Sequence, residues 1–179
     1  PRVVGGTFPY ILTGGTIELT GNGSADAFQV LRGSQSRPNY IHVKFSGANS
    51  YGNDYKALST QTEIDSSLIV TGTTVVDCIT STGAAASFVG TGGLVMDGGT
   101  LRIKKLNDSN PELAGTALNY NLTAGTIEFY GSGATQNQRI RATDGSGTIS
   151  YHNIEINAAA TNLNFSGTLG NVTPAASIV

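Results

Sequence analysis

Residues 1–23 align with residues 111–133 without a gap, and 11 of the 23 pairs are identical: Pro1/Pro111, Gly5/Gly115, Tyr10/Tyr120, Leu12/Leu122, Thr13/Thr123, Gly15/Gly125, Thr16/Thr126, Ile17/Ile127, Glu18/Glu128, Gly21/Gly131 and Gly23/Gly133. The match continues with Tyr40-Ile41-His42-Val43-Lys44-Phe45 against Tyr151-His152-Asn153-Ile154-Glu155-Ile156, after a one-residue slip, and with Ile69-Val70 against Ile178-Val179. Residues 1–110 therefore form one long unit, and residues 111–179 a partial second copy continuous with the first. A chain that repeats itself at this period is either a string of domains or a solenoid whose units stack on one another.

A shorter echo lies inside the long unit. Gly14-Gly15-Thr16-Ile17-Glu18-Leu19 recurs as Gly98-Gly99-Thr100-Leu101-Arg102-Ile103, and again, a short step further on, as Ala124-Gly125-Thr126-Ile127-Glu128-Phe129. A small residue, Gly and Thr followed by apolar, charged and apolar residues reads as a tight turn feeding a short strand with one buried face. Similar short runs recur at 28–31, 40–45, 68–70, 74–79, 94–96, 140–141, 149–156 and 163–165, separated by Gly, Ser, Asn and Thr clusters. No stretch keeps a helical apolar period over three turns, so almost no helix is expected.

Two all-β architectures fit. A right-handed parallel β-helix, with coils of roughly 20–30 residues, makes four to five coils of each long unit and about seven coils in all. Tandem β-sandwich domains of about 100 residues are the alternative. The step from Thr100 to Thr126 in the short echo is the length of one coil, and together with the short strands and the Asn and Gly at the expected corners it favours the β-helix. Seven coils stacked ~4.8 Å apart make a rod segment roughly 35 Å long. In it Ile17/Leu19, Ile41/Val43/Phe45 and Ile127/Phe129 would stack inward, while Tyr40, Glu18, His42, Lys44, Arg102, Lys104 and Glu128 would face water.

Composition excludes several classes. Charged residues make up 12% of the chain, about half the share of ~25% in ordinary domains. The formal net charge of −2 lacks the basic excess of a nucleic-acid binder. No apolar run reaches the ~18–20 residues of a membrane span, and 39% hydrophobic residues in a regular pattern is too many for a disordered linker. Pro1 is followed by no signal-peptide pattern, and Ser177-Ile178-Val179 stops inside an apolar run, so the chain reads as an excerpt of a longer one.

Chemistry-bearing residues are sparse. Cys78, within Val75-Val76-Asp77-Cys78-Ile79, reads as a small buried hydrophobe. His42 and His152 do not coincide when the repeats are aligned, and with one Cys they give no zinc spacing. Gly21-Asn22-Gly23-Ser24-Ala25-Asp26 departs from the calcium-binding Gly-Gly-x-Gly-x-Asp nonapeptide, and its second copy at 131–136 has no carboxylate. Isolated loop carboxylates such as Asp54 and Asp108 could hold an ion only weakly. Arg102-Ile103-Lys104-Lys105, beside Asp97 and Asp108, reads as a solvated strand face, and Glu18/Glu128 as a solvated position used twice. The Thr pairs at 60/62, 71/73 and 80/82 are unevenly offset and would not stack into an ice-binding face. The Asn-x-Ser/Thr triplets at Asn22, Asn107, Asn121, Asn164 and Asn171 follow from composition. No catalytic, cofactor-binding or metal residue is singled out, no cofactor is expected, and the chain is expected not to be an enzyme.

The phrase Leu122-Thr123-Ala124-Gly125-Thr126-Ile127-Glu128-Phe129-Tyr130-Gly131-Ser132-Gly133, followed by Tyr151-His152-Asn153-Ile154-Glu155-Ile156, resembles a recurrent phrase of very large secreted and cell-surface proteins of Bacteroidetes-type bacteria. The first copy departs from it, with Tyr40-Ile41-His42 in place of Tyr-x-Asn. The resemblance implies a long repetitive β-region and export by type IX secretion. The expected role is a non-catalytic stalk, fibre or adhesin rod at the cell surface or outside the cell. Its partners would be neighbouring coils of the same chain, with like chains in a filament or surface glycans as further candidates. A polysaccharide-binding or polysaccharide-degrading β-helix is the alternative. It would present a row of exposed tyrosines drawn from Tyr10, Tyr40, Tyr51, Tyr55 and Tyr130.

Overall fold

A computed structural model describes residues 12–20, 29–31, 39–48, 56–58, 62–79, 88–104, 120–132, 138–141, 149–159, 163–166 and 177–178. Among them there are strands and turns and no helix. The strands are β1 (Thr16–Leu19), β2 (Gln29–Leu31), β3 (Tyr40–Phe45), β4 (Lys56–Leu58), β5 (Thr62–Val70), β6 (Val75–Ile79), β7 (Phe88–Val89), β8 (Gly93–Lys104), β9 (Asn121–Ser132), β10 (Gln138–Arg141), β11 (Asn153–Ala159), β12 (Leu163–Ser166) and β13 (Ser177–Ile178). Eleven of these join in one curled sheet, while β10 and β12 form a separate pair. Every pairing is parallel. An all-parallel, curled sheet built from short strands is compatible with a β-solenoid and differs from the antiparallel sheets of a sandwich domain.

Two ladders run through the sheet. In the first, Thr16 lies opposite His42, His42 opposite Ser67 and Ser67 opposite Gly93. In the second, Val76 lies opposite Leu101, Leu101 opposite Ile127 and Ile127 opposite Ile154. Each rung advances by nearly the same length of chain, and hydrogen bonds between rungs keep that spacing, at sequence separations of 25 for His42–Ser67, 26 for Arg102–Glu128 and 27 for Thr123–Met96. β8 belongs to both ladders: Gly93–Met96 pair with β5 and Thr100–Lys104 with β6. The short echo of the sequence is a direct register, with Thr100 opposite Thr126. The one-residue slip in the long repeat has a structural counterpart. Thr16 pairs with His42, whereas its repeat mate Thr126 pairs with Asn153, one position further along the chain.

In-register stacking turns each inward position into a column. Leu19, Phe45, Val70 and Met96 form one, and Val76, Leu101, Ile127 and Ile154 another. All eight are buried. Each such side chain stabilises by roughly 1.5–3 kcal/mol on burial, and no single pass of the chain encloses its own core. Cys78 sits in the same interior, as expected.

One inward–outward assignment is corrected. Tyr40, expected to face water with His42 and Lys44, is buried, and Ile41 is only partly so. A bulge between Tyr40 and His42 causes this: Tyr40 lies opposite Ile64 but His42 opposite Ser67. The extra residue is on β5, and it keeps Tyr40 in line with the buried Ile64 where strict alternation back from Val43 would place it outward. Tyr151, its repeat mate, is buried too.

The corners between the ladders bring backbone against backbone. Gly125 has φ +85°, and a Cβ there would sit 2.5 Å from the Gly98 carbonyl oxygen of the preceding pass. Gly72 has φ +68° but open space around the missing Cβ. Gly72→Ala should therefore incur the left-handed penalty alone, about 1–2 kcal/mol. Gly125→Ala should add overpacking against a backbone that cannot yield, for about 2–5 kcal/mol in total. Thermal unfolding followed by circular dichroism would check the ordering: a drop of roughly 2–8 °C for Gly72→Ala and a clearly larger one for Gly125→Ala. Equal drops would mean that the two passes do not meet at this corner.

Candidate functional site

The densest assembly of polar side chains among the described residues lies on the outward face of the second ladder. Register places Asp77 opposite Arg102, Arg102 opposite Glu128 and Glu128 opposite Glu155. Arg102 Nε donates to Glu128 Oε2 at 2.8 Å, and Arg102 Nη1 to Asp77 Oδ2 at 3.4 Å. The guanidinium lies 4.1 Å from the centre of the Tyr130 ring, within cation–π range. Asn157 Nδ2 donates to Glu128 Oε1 at 3.1 Å. Asp77 and Glu128 are only 5% and 8% exposed although they point away from the core.

The electrostatics follow from this packing. Burial opposes the charge on Arg102, but the bond to Glu128 and the fields of Asp77 and Glu128 outweigh it and raise its pKa above the usual value. Burial, followed by the charge of Asp77 and a hydrogen bond to it, pushes the Tyr130 phenol well above the ordinary tyrosine range. One cation thus ties together two carboxylates from the passes on either side of it. A planar guanidinium suits that task because its N–H groups diverge toward separate acceptors.

The first ladder carries a more exposed version of the same arrangement. Lys44 Nζ lies 3.0 Å from Glu18 Oε1, and Ser46 Oγ donates to the same oxygen at 2.7 Å. The Ser46 bond first, and then Lys44, hold the Glu18 carboxyl below the usual carboxylate range. His42 Nδ1 and Ser67 Oγ are 2.7 Å apart, and Asn39 Nδ2 donates to Asp65 Oδ2 at 3.1 Å. Between the ladders, Lys56 is 1% exposed, and its Nζ donates to Ser46 O, to Gly47 O at 3.2 Å and to Thr74 Oγ1 at 2.9 Å. Burial lowers its pKa.

Several sequence expectations change here. Glu18 is exposed, but its repeat mate Glu128 is buried in an ionic cluster and Arg102 is partly buried, so neither Glu128 nor Arg102 belongs to a solvated face. The carboxylate partners of Arg102 are Asp77 and Glu128, one pass away on either side, and not its near neighbour Asp97, which is exposed. The short echo already sets Arg102 opposite Glu128. Asp77 lies one pass before Arg102, a relation only the register reveals. His42 lies on β3 and His152 just before β11. Among the described residues no group of three His, Cys, Asp or Glu side chains could hold a metal ion. Tyr10, Tyr51, Tyr55, Asp54, Lys105, Asp108, the side chain of Lys104 and the stretches 21–26 and 133–136 lie outside the described residues. No known protein family, curated protein or solved structure matches the chain.

Chemically, the cluster binds itself. Removing the cation would leave two carboxylates of like sign buried together. Arg102→Met should therefore lower stability by about 2–4 kcal/mol, less than for a fully buried ion because the Arg102 side chain keeps 31% exposure. Adding Glu128→Gln in that background should recover part of the loss, with a coupling of about 1 kcal/mol or more in a double-mutant cycle read by urea unfolding. Additive losses would show that the two side chains do not interact.

Tyr130 gives a pH signature. Its folded-state pKa lies above the unfolded value of 10.0. Its contribution is therefore complete below about pH 10 and is lost as pH rises through the folded pKa. The stability of the natural chain should decline above pH 10, and Tyr130→Phe should flatten that decline. Chemical denaturation from pH 9 to 11.5 measures it, and identical alkaline slopes for the two chains would contradict it.

Proposed function

We propose that this chain is a non-catalytic structural segment of a large extracellular repetitive protein, a stalk, fibre or adhesin rod, built as a right-handed parallel β-helix of about seven coils. The observation that carries this reading is the direction of the outward side-chain bonds. Glu18–Ser46, Asn39–Asp65, His42–Ser67, Asp77–Arg102, Arg102–Glu128 and Glu128–Asn157 join residues 25 to 29 apart in sequence, each bond spanning from one pass to the next. Polar groups disposed in this way stitch the stack along its axis. The one dense group among them, Asp77, Arg102 and Glu128, is built the same way across three passes, and its carboxylates are 5% and 8% exposed and held by Arg102, which turns the cluster toward the stack and away from a substrate.

Among the described residues, Tyr40, Tyr130 and Tyr151 favour the rod over a glycan platform. Tyr40 and Tyr151 are buried, and the Tyr130 ring is stacked by Arg102, so these three are withdrawn from any row of sugar-stacking rings. Export by type IX secretion and placement at the cell surface rest on the resemblance of the 122–133 and 151–156 phrases. The partners proposed are further coils of the same longer chain, with like chains in a filament as the next step of assembly.

Electron microscopy of the full-length native protein tests the reading. A continuous rod without constrictions, with an axial rise of ~4.8 Å, is the expected result. Beads at intervals of roughly 40 Å, the scale of sandwich domains, would overturn it.

A further inference from the structure

Lys56 stands where two successive passes differ in length. Backbone bonds carry the first ladder into the corner, Ser46 N donating to Leu19 O at 3.1 Å and Thr71 N to Phe45 O at 3.2 Å. The passes then diverge. The chain from Phe45 to Lys56 is nearly twice as long as the chain joining their partners, Val70 and Val76. The offset between paired residues consequently shortens on going from Phe45–Val70 to Lys56–Val76. A regular ladder cannot bridge loops of unequal length, and the carbonyls of Ser46 and Gly47 face the Lys56 ammonium instead.

The chemistry of the surroundings is specific. The acceptors around Nζ are two backbone carbonyls and one hydroxyl, on Ser46, Gly47 and Thr74. Three neutral oxygens match the three N–H donors of an ammonium. A hard divalent ion would require carboxylates and more ligands. Lys56 enters from the inward face of β4, at a position held by Val76 in the next pass, where an apolar side chain would be the ordinary choice.

We propose that Ser46 O, Gly47 O and Thr74 Oγ1 form a binding site for an ammonium-type monovalent cation, that the side chain of Lys56 fills it as a tethered ligand, and that this occupant fixes the register between the two unequal passes. Tethering removes the cost of capturing a free ion. The site is independent of what the chain does in its full-length protein.

Removing the tether should expose the site to ions in solution. With the full 179-residue chain, Lys56→Ala should melt roughly 5–10 °C below the natural chain in tetramethylammonium chloride, an ion too large for the cradle. Ammonium chloride at equal ionic strength should restore several degrees, increasingly with concentration. The natural chain should melt alike in both salts. Lys56→Met, whose apolar side chain fills the cradle without donors, should be destabilised and gain nothing from ammonium. Lys56→Ala that melts alike in the two salts would overturn the proposal, as would Lys56→Met as stable as the natural chain. A second measurement needs no variant. In the native chain an acetylating reagent should modify Lys44 readily and Lys56 at least ~100-fold more slowly, through local opening alone. Equal rates at the two lysines would also overturn it.

Discussion

The constraint on which this structure depends is in-register parallel stacking, one pass of the chain lying ~4.8 Å from the next. It fixes the neighbours of every strand residue without reference to local sequence. Leu19 must suit Phe45, Phe45 must suit Val70, and Val70 must suit Met96. Where the column faces inward, apolar residues satisfy it by burial. Where it faces outward and is buried, a charge needs an opposite charge or a hydrogen-bonding partner in a neighbouring pass, as Glu128 finds in Arg102 and Asn157 although the exposed Glu155 follows it in the column. Glu18 beside Lys44 and Arg102 between Asp77 and Glu128 are two such pairings among the described residues.

The same spacing governs the corners. A turn that repeats in each pass sets one bend directly on another, and a Cβ on Gly125 would reach the Gly98 carbonyl oxygen. Corner glycines here serve close approach of backbones as much as they serve a left-handed φ. Where the length of chain between paired strands changes, that regularity fails, and the Lys56 ammonium takes the carbonyls of Ser46 and Gly47 and the Thr74 hydroxyl. The described polar side chains therefore play two parts, joining passes along the axis and repairing the place where the passes do not match.

Much of this was legible in the sequence. Alternation in Thr16–Leu19 and Tyr40–Phe45, the Gly-Thr phrase and its echo from Thr100 to Thr126 point to short stacked strands, and the strands, their parallel pairing and the inward placing of Leu19, Val43, Phe45, Ile127, Phe129 and Cys78 agree with that reading. Residues whose environment depends on another pass were not legible. Tyr40 turns inward because of a bulge set by its pairing with β5, which no period-2 pattern contains. Glu18 and Glu128 are alike in sequence context, yet one is exposed and the other buried: Glu128 lies between Arg102 of the pass before and Asn157 of the pass after, whereas Glu18 is on β1, at the end of the described sheet, and meets only the pass that follows. Nothing beside Lys56 in the sequence, where it stands between Tyr55 and Ala57, marks it for burial, because its partners Ser46, Gly47 and Thr74 converge only after the register has shortened at β4.

Those buried charges resolve a problem that apolar columns leave open. A one-residue slip between β8 and β9 would send Leu101 and Ile103 outward, and burial alone opposes it. A two-residue slip is different: Leu101 would face Phe129 in place of Ile127, both inward and both apolar, at little loss of hydrophobic stabilisation. In that register, however, Arg102 would lie opposite Tyr130 and lose its place across from Glu128, leaving a buried carboxylate without its cation. The penalty for a carboxylate left without its partly exposed cation, about 2–4 kcal/mol, exceeds what the apolar columns contribute to the choice. The corner imposes a second penalty, because shifting the strands by two residues moves Gly125 off Gly98 and brings residues with a Cβ toward that carbonyl. In a stack whose interior accepts Leu, Ile, Val and Phe almost interchangeably, the ionic column and the glycine corner are what confine β8 and β9 to one register.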